Sequence, residues 1–210
     1  MILEEISREL QAGNRKAVTA LTQQALDEGL EPAQILKEGL LAGMDVIGEQ
    51  FKNNEVFVPE VMVAARAMKA GTEILKPLLA GDGATAAGRV CIGTVSGDLH
   101  DIGKNLVKMM MEGKGLEVID LGIDVSTEAF VTAAAEQHCD VICCSALLTT
   151  TMEVMADVVR EAEARGIRDQ VKIMIGGAPI TQEFCDKIGA DAYTPDAATA
   201  AEKAAEYCKK

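Results

Sequence analysis

The chain has 210 residues, 49% of them hydrophobic and 25% charged, a globular balance that suffices for two modest domains or one large one. A net charge of −13 argues against nucleic acid or an anionic membrane as partner, because phosphate binding is driven by Lys and Arg. With aromatics at 3% and no Trp, the core has to be built from Ala, Val, Ile, Leu and ten Met.

The first residues, Met1-Ile2-Leu3-Glu4-Glu5-Ile6, are acidic and amphipathic and lack the basic region and apolar run of an ordinary secretory signal. No stretch has the uninterrupted apolar length that spans a bilayer, so a cytoplasmic location is expected. Up to about residue 79 the pattern is helical throughout. Val18, Leu21, Thr22, Ala25 and Leu26 trace one face of a second helix. Pro32 suits a first-turn position, and Ile35, Leu36, Leu40, Met44, Ile47 and Phe51 follow at three- and four-residue steps. Lys52-Asn53-Asn54-Glu55 is a polar break, after which Val61, Ala65, Met68, Thr72, Leu75 and Leu79 keep a helical stripe. Four helices with short connections predict an antiparallel four-helix bundle over residues 1–80. Residues 81–88, small and poor in large apolar side chains, predict a linker and hinge before a second domain, 89–210.

From residue 89 the pattern alternates. Strands are expected at 89–95, 116–121, 140–145, 171–175 and 190–193, with helices between them and a last helix over 196–208. Such alternation implies an α/β domain with a five-stranded parallel sheet and right-handed crossovers, in the flavodoxin-like order 2-1-3-4-5. In that order the loops after strands one, three and four meet at the carboxyl edge, where open α/β sheets bind their ligands.

The six cysteines form no C-x-x-C pair; Cys91, Cys143 and Cys144 lie in apolar runs, and all six read as reduced thiols. His138, Cys139 and Cys143 match no closed zinc pattern.

The loop after the first strand, Gly97-Asp98-Leu99-His100-Asp101-Ile102-Gly103, carries one of the two histidines. A neutral imidazole is a good metal ligand, and a neighbouring carboxylate fixes its tautomer and raises its basicity. Asp98, His100 and Ser145 could be three separate loop residues, a hydrolytic triad or a metal-ligand relay. The triad needs a serine in a G-x-S-x-G turn, whereas Ser145 stands in Cys143-Cys144-Ser145-Ala146-Leu147. Gly93, Gly97 and Gly103 fit neither the dinucleotide fingerprint nor the P-loop, and a response regulator would have no role for the histidine.

Asp98-x-His100-x-x-Gly103, Ser145-x-Leu147 and Gly176-Gly177 together resemble the cobalamin-binding signature of the B12-dependent methyltransferases and mutases, including the cobalamin module of methionine synthase. The intervals agree as well: residues 104–144 are 41 positions and residues 148–175 are 28. Met44 to Met68, with Phe57-Val58-Pro59-Glu60-Val61-Met62, is similar to the helical cap of methyl-carrying corrinoid proteins. The whole chain thus resembles the stand-alone corrinoid proteins of methylamine, methanol and betaine methyltransferase systems.

The resemblance implies a cobalamin or related corrinoid, methylated in its loaded form and bound base-off, with His100 as the lower axial ligand of cobalt. It implies that Asp98 and Ser145 continue the relay behind His100 and take part in proton uptake when that bond breaks. Gly97, Leu99, Asp101, Ile102, Gly103, Leu147, Thr149, Gly176, Gly177 and Ala197 would line the lower pocket, the two glycines because side chains there would collide with the nucleotide tail. Phe57, with Val61 or Met62, would cover the upper face. The implied role is a carrier subunit rather than a catalyst on its own. It would shuttle a methyl group from a substrate-specific methyltransferase to a second methyltransferase acting on tetrahydrofolate or coenzyme M, with a reductive activase. Two alternatives share the motif. A mutase subunit using adenosylcobalamin needs no helical cap, and a B12-sensing regulator places a DNA-binding domain ahead of the bundle. His138 is expected to be dispensable.

Overall fold

A computed structural model describes residues 1–79 and 87–209. Its described residues fall into two compact units, one of residues 1–79 with Gly113–Gly115, the other of residues 87–112 and 116–209. Most of the linker expected at 81–88, residues 81–86, and the hinge assigned to it lie outside the described residues.

The first unit is helical. Helix α1 (Ile2–Gln11) buries Ile6 and Leu10, and α2 (Arg15–Asp27) starts where the Asn14 side chain accepts a hydrogen bond from the Ala17 N–H. Pro32 opens α3 (Pro32–Gln34), which runs without a break through a π-helical segment, Ile35–Leu41, into α4 (Ala42–Lys52). The apolar periodicity anticipated one long helix there and gave no sign of the widened turn. Helix α5 (Val58–Leu79) packs on α2, and its buried face carries Ala64, Ala67, Ala70 and Gly71 beside Val61, Met68 and Leu75. That face is narrower in side chain than the predicted stripe, because α2 approaches closely; Ala65 and Thr72 are only half-buried. Val61 is fully buried in this helical core, so it is withdrawn from the residues expected over a ligand. No described helix is long and apolar enough to cross a membrane.

The second unit alternates strands and helices in chain order: β1 (Arg89–Val95), α6 (Ile102–Gly113), β2 (Glu117–Val125), α7 (Thr127–Glu136), β3 (Val141–Ser145), α8 (Val154–Ala164), β4 (Lys172–Gly176), α9 (Gln182–Ile188), β5 (Ala192–Tyr193) and α10 (Ala197–Cys208). The strands pair in parallel in the order β2-β1-β3-β4-β5. The central strands are buried on both faces, which is why their sequences read as unbroken apolar runs. One face carries Phe130, Val131, Met155, Val158, Phe184 and Cys185 from α7, α8 and α9. All six cysteines are buried, and none forms a disulfide among the described residues.

Edge strand β2 is longer than expected. Its pairing with β1 slips twice, so that Ile92 stands opposite Asp120 but Gly93 opposite Gly122 and Val95 opposite Val125. Asp120, Gly122 and Asp124 give this stretch the look of a loop, yet the bulged strand carries Asp124 up beside the loop after β1. Lower on the strand, Asp120 anchors α6. The buried Lys104 ammonium donates to Asp120 Oδ1 at 2.6 Å and to Asn105 Oδ1 at 2.9 Å, and Lys108 donates to Asp120 Oδ2 at 3.1 Å.

Burial pushes the Asp120 carboxyl up, but the Lys104, Gly122 and Lys108 donors outweigh it and bring it from 3.8 to about 2. A carboxyl depressed on folding contributes stability that is present above its unfolded value and is lost as pH falls through the folded one. The stability difference between wild type and Asp120→Asn, measured by urea denaturation, should therefore hold steady near neutrality and shrink between about pH 4 and about pH 2.

Candidate functional site

The register of the three central strands sets the site. Thr94 stands opposite Ser145, and Ser145 opposite Gly176, so three motif-bearing chain segments leave the sheet at one level of its carboxyl edge. Thr94 Oγ1 donates to the His100 carbonyl at 2.8 Å, which folds the loop back over the end of its own strand. Gly97, at φ +83°, makes the turn that left-handed backbone allows. From the other side Asp124 brackets the same loop: its Oδ1 accepts from Gly97 N–H at 2.7 Å and from Ser96 Oγ at 3.2 Å, and its own N–H donates to the Asp98 carbonyl at 3.1 Å. Asp124 is itself left-handed, at φ +53°.

Asp98 is wholly buried. Its Oδ1 accepts from His100 N–H at 3.0 Å and lies 2.7 Å from His100 Nδ1. Its Oδ2 accepts from Leu147 N–H at 2.7 Å, Leu148 N–H at 3.1 Å and the Thr151 hydroxyl at 3.0 Å. Burial alone would raise this carboxyl; the main-chain donors of Leu147, His100 and Leu148 and the His100 ring overcome it and hold the group well below the usual carboxylate range. An ionised Asp98 is an acceptor only, so His100 Nδ1 carries a proton, and in the neutral ring Nε2 is the nitrogen with the free lone pair. The ring is about half exposed and Nε2 has no hydrogen-bond partner among the described residues. One oriented basic nitrogen is thus presented at the sheet edge.

The surroundings are apolar. Leu99, Ile102, Ile123, Leu147 and Leu148, all on the segments that hold His100, make up half of the large hydrophobic side chains exposed among the described residues. Among those residues no three His, Cys, Asp or Glu groups converge to hold a metal, so a metal on His100 would bring its other ligands with it. The two C-terminal glycines differ. A Cβ on Gly177, at φ +134°, would fall 1.8 Å from the Ala146 carbonyl oxygen, so Gly177 is required by the protein's own close approach of the loops after β3 and β4. That approach is sealed by the Ala146 N–H donating to the Gly176 carbonyl at 3.2 Å. A Cβ on Gly176 would meet only the Thr194 carbonyl, at 3.9 Å, and one on Gly103 nothing. The collision that the sequence assigned to a ligand at Gly177 is therefore internal, whereas Gly176 and Gly103 leave space for one. One imidazole nitrogen among apolar side chains, with space beside Gly103 and Gly176, fits a metal whose remaining ligands come from a bound organic group.

A family model described as the B12 binding domain matches residues 88–205, and a second of the same description matches residues 2–76. The chain belongs to the B12-binding family. It is 44% identical over 206 residues to dimethylamine corrinoid protein 1 of Methanosarcina acetivorans, covering 98% of this chain and 96% of that protein. It is 46% identical over 182 residues to trimethylamine corrinoid protein 2 of the same organism, covering 86% and 84%. Among solved structures, the methanol:cobalamin methyltransferase complex from Methanosarcina barkeri superposes with a TM-score of 0.88 at 30% identity, over 99% of this chain and 79% of the matched one. The B12-binding fold, helices before a five-stranded parallel sheet, is that of these corrinoid proteins.

Within this B12-binding domain the structure brings Gly97, Asp98, His100, Leu147 and Gly176 to one edge. The Asp101 carboxylate accepts from the Asn105 side-chain amide at 3.0 Å, at the entry to α6. Thr149 is exposed in the turn after β3, and Ala197 is buried at the first turn of α10. Phe57, in the helical unit, is exposed. The Ser145 hydroxyl makes no hydrogen bond to Asp98; Thr151 makes it instead. Thr151, Asp124 and Leu148 escaped the sequence reading. The Thr149-Thr150-Thr151 run gives no sign of which hydroxyl meets the carboxylate, and only the strand register reveals Asp124.

Replacing Gly177 by Ala should destabilise the ligand-free protein by about 3 kcal/mol or more, since main chain has to move, whereas Gly176→Ala should stay within about 1 kcal/mol. Thermal and urea denaturation of the two variants would check this.

Proposed function

We propose that this protein binds a corrinoid with its own base displaced and His100 Nε2 as lower axial ligand, and serves as the methyl carrier between two methyltransferases. The observation that carries the reading is the His100 ring: one nitrogen fixed on a buried ionised carboxylate, the other free within an apolar rim. The names of the related corrinoid proteins for dimethylamine and trimethylamine support the methylamine side, and the structural neighbour supports a methyltransferase as partner.

Bound there, the corrinoid supplies a cobalt centre that takes up and gives off a methyl group. The chain's own part is to hold and orient. Asp98 keeps the Nδ1 proton on His100, so that Nε2 is the basic atom and the ring cannot flip without losing its 2.7 Å contact. Nε2 would be the nitrogen that holds the cobalt, and the ring atom open to a proton when no metal is bound, because Asp98 holds Nδ1 and already has five hydrogen-bond contacts. Leu99, Ile102, Leu147 and Leu148 would exclude water from the bound corrinoid, and the space at Gly176 would leave room for part of it. Donors on this reading are methylated amines or methanol delivered by a substrate-specific methyltransferase. The acceptor is tetrahydrofolate or the coenzyme M thiol on a second enzyme, a reductive activase restores oxidised cobalt, and the system is cytoplasmic.

Reconstitution with cobalamin and reduction to Co(II) tests the core of this. The EPR spectrum should carry nitrogen hyperfine splitting that changes on 15N-histidine labelling and disappears in His100→Ala, while His138→Asn keeps it. Methyl transfer with a methylamine methyltransferase should fall by about 100-fold or more in His100→Ala. Hyperfine splitting that survives His100→Ala, or a preference for adenosylcobalamin with a mutase partner, would overturn the reading.

A further inference from the structure

We propose that Asp124, on the neighbouring edge strand, is a positioning residue for His100: its carboxylate clamps the turn that leads into the histidine, on the side that Asp98 leaves unheld. The inference deepens the function proposed above and rests on His100 being the axial base.

The loop that carries His100 leaves β1, which lies between β2 and β3 in the sheet. On the β3 side the Asp98 carboxylate is tied to the main chain of Leu147 and Leu148. Those bonds leave the main chain of Asp98 untouched. Its N–H donates to the Val95 carbonyl at 3.1 Å, which closes the turn on itself without attaching it to another strand. That attachment comes from β2. Asp124 Oδ1 accepts from Gly97 N–H at 2.7 Å and from Ser96 Oγ at 3.2 Å, and Asp124 N–H donates to the Asp98 carbonyl at 3.1 Å. One residue thus holds three consecutive ones, Ser96 to Asp98, and a carboxylate accepting from a backbone N–H makes one of the stronger hydrogen bonds.

Asp124 reaches the turn because β2 is bulged there. Between the Gly93–Gly122 and Val95–Val125 pairs, Ile123 and Asp124 together stand opposite Thr94. The backbone at Asp124 is left-handed, φ +53°, a conformation that Asp and Asn tolerate better than most side chains. Thr94, opposite the bulge, is the residue whose hydroxyl donates to the His100 carbonyl at 2.8 Å, so both ends of the loop are fixed at one level of the sheet. With Asp124 in place the loop is held from both neighbouring strands. Without its carboxylate the main chain of Ser96 to Asp98 swings on the anchored Asp98 side chain. His100, two residues on, is then displaced against the oxygen that receives its N–H and its ring.

Two substitutions separate the acceptor from the backbone. Asp124→Gly accepts the left-handed conformation and removes the oxygen, whereas Asp124→Asn keeps both the conformation and an acceptor. With two histidines in the chain, 15N-histidine labelling gives two backbone amide signals, and His138→Asn identifies that of His100. In the ligand-free protein, exchange of the His100 amide with deuterium should be about tenfold faster in Asp124→Gly, although its own acceptor, Asp98, is intact. In Asp124→Asn it should stay within about threefold of wild type. In the cobalamin-loaded Co(II) protein, Asp124→Gly should weaken histidine coordination about tenfold, read as loss of nitrogen-split EPR intensity from the bound cofactor, with Asp124→Asn restoring it. A role in strand stability alone would lower the urea midpoint and leave that splitting unchanged. Such a result would overturn the inference, as would wild-type exchange of the His100 amide in Asp124→Gly, or an Asp124→Asn variant that loses as much as Asp124→Gly. A wild type without nitrogen splitting would overturn the axial-base reading itself, while amide exchange in the ligand-free protein still decides whether Asp124 holds His100.

Discussion

The structure turns on one buried charge. An ionised carboxylate taken out of water costs several kcal/mol unless its lone pairs are filled, and Asp98 has donors on both oxygens. They come from its own loop and from the loop after β3, nearly 50 residues away in sequence. Pulling the two loops apart would strand the charge, so each loop holds the other in place. The orientation of His100 inherits that rigidity, since the ring is fixed to the same oxygen that its own main chain uses.

The sheet makes this meeting geometrically inevitable. β1 and β3 are neighbours, but the chain reaches β3 only after going out to the edge strand β2 and back, through α6 and α7. The interval from Gly103 to Ser145 is the length of that double excursion, and the shorter one from Leu147 to Gly176 is the length of a single crossover through α8. Motif spacing is thus a statement about connectivity: insertions in a helix could change it, but the level of Thr94, Ser145 and Gly176 in the sheet could not change without disturbing the ladder.

That is why so much of the fold was legible in the sequence. Unbroken apolar runs mark strands buried on both faces, and alternation with helices dictates a parallel sheet, so β1, β3 and β4 were readable from residues alone; the order found is the one that five such strands suggested, though residues alone do not fix it. Edge strand β2 was shortened because its outer half holds Asp120, Gly122 and Asp124, residues chosen for bulges and for gripping neighbours rather than for burial. The π-helical turn was invisible because periodicity counts apolar steps and is blind to the width of a turn. At the site, Asp98, His100 and Gly176 stood out because they fall at the strand ends in motifs whose spacing resembles the cobalamin-binding signature. Thr151 did not, since a threonine in a threonine run looks like any turn residue until its hydroxyl is seen against a carboxylate. Gly177 was found for an incomplete reason: its lack of a side chain answers to Ala146 before it answers to any ligand.

On the function proposed above, the half-exposed histidine on a fully buried partner suits an axial bond that would form and break repeatedly. A free loop histidine would lose rotamer and loop freedom each time it met a metal, and that entropic cost would weaken the bond at every cycle. Here the ordering is done by folding, through Asp98, Asp124 and Thr94, before any ligand arrives. What is left free is the single Nε2 atom and an apolar rim that needs no reorganisation to receive a macrocycle. Rigidity behind the ligand and exposure in front of it are therefore complementary requirements, and a carboxylate with donors on both of its oxygens is the element that supplies the first without closing off the second.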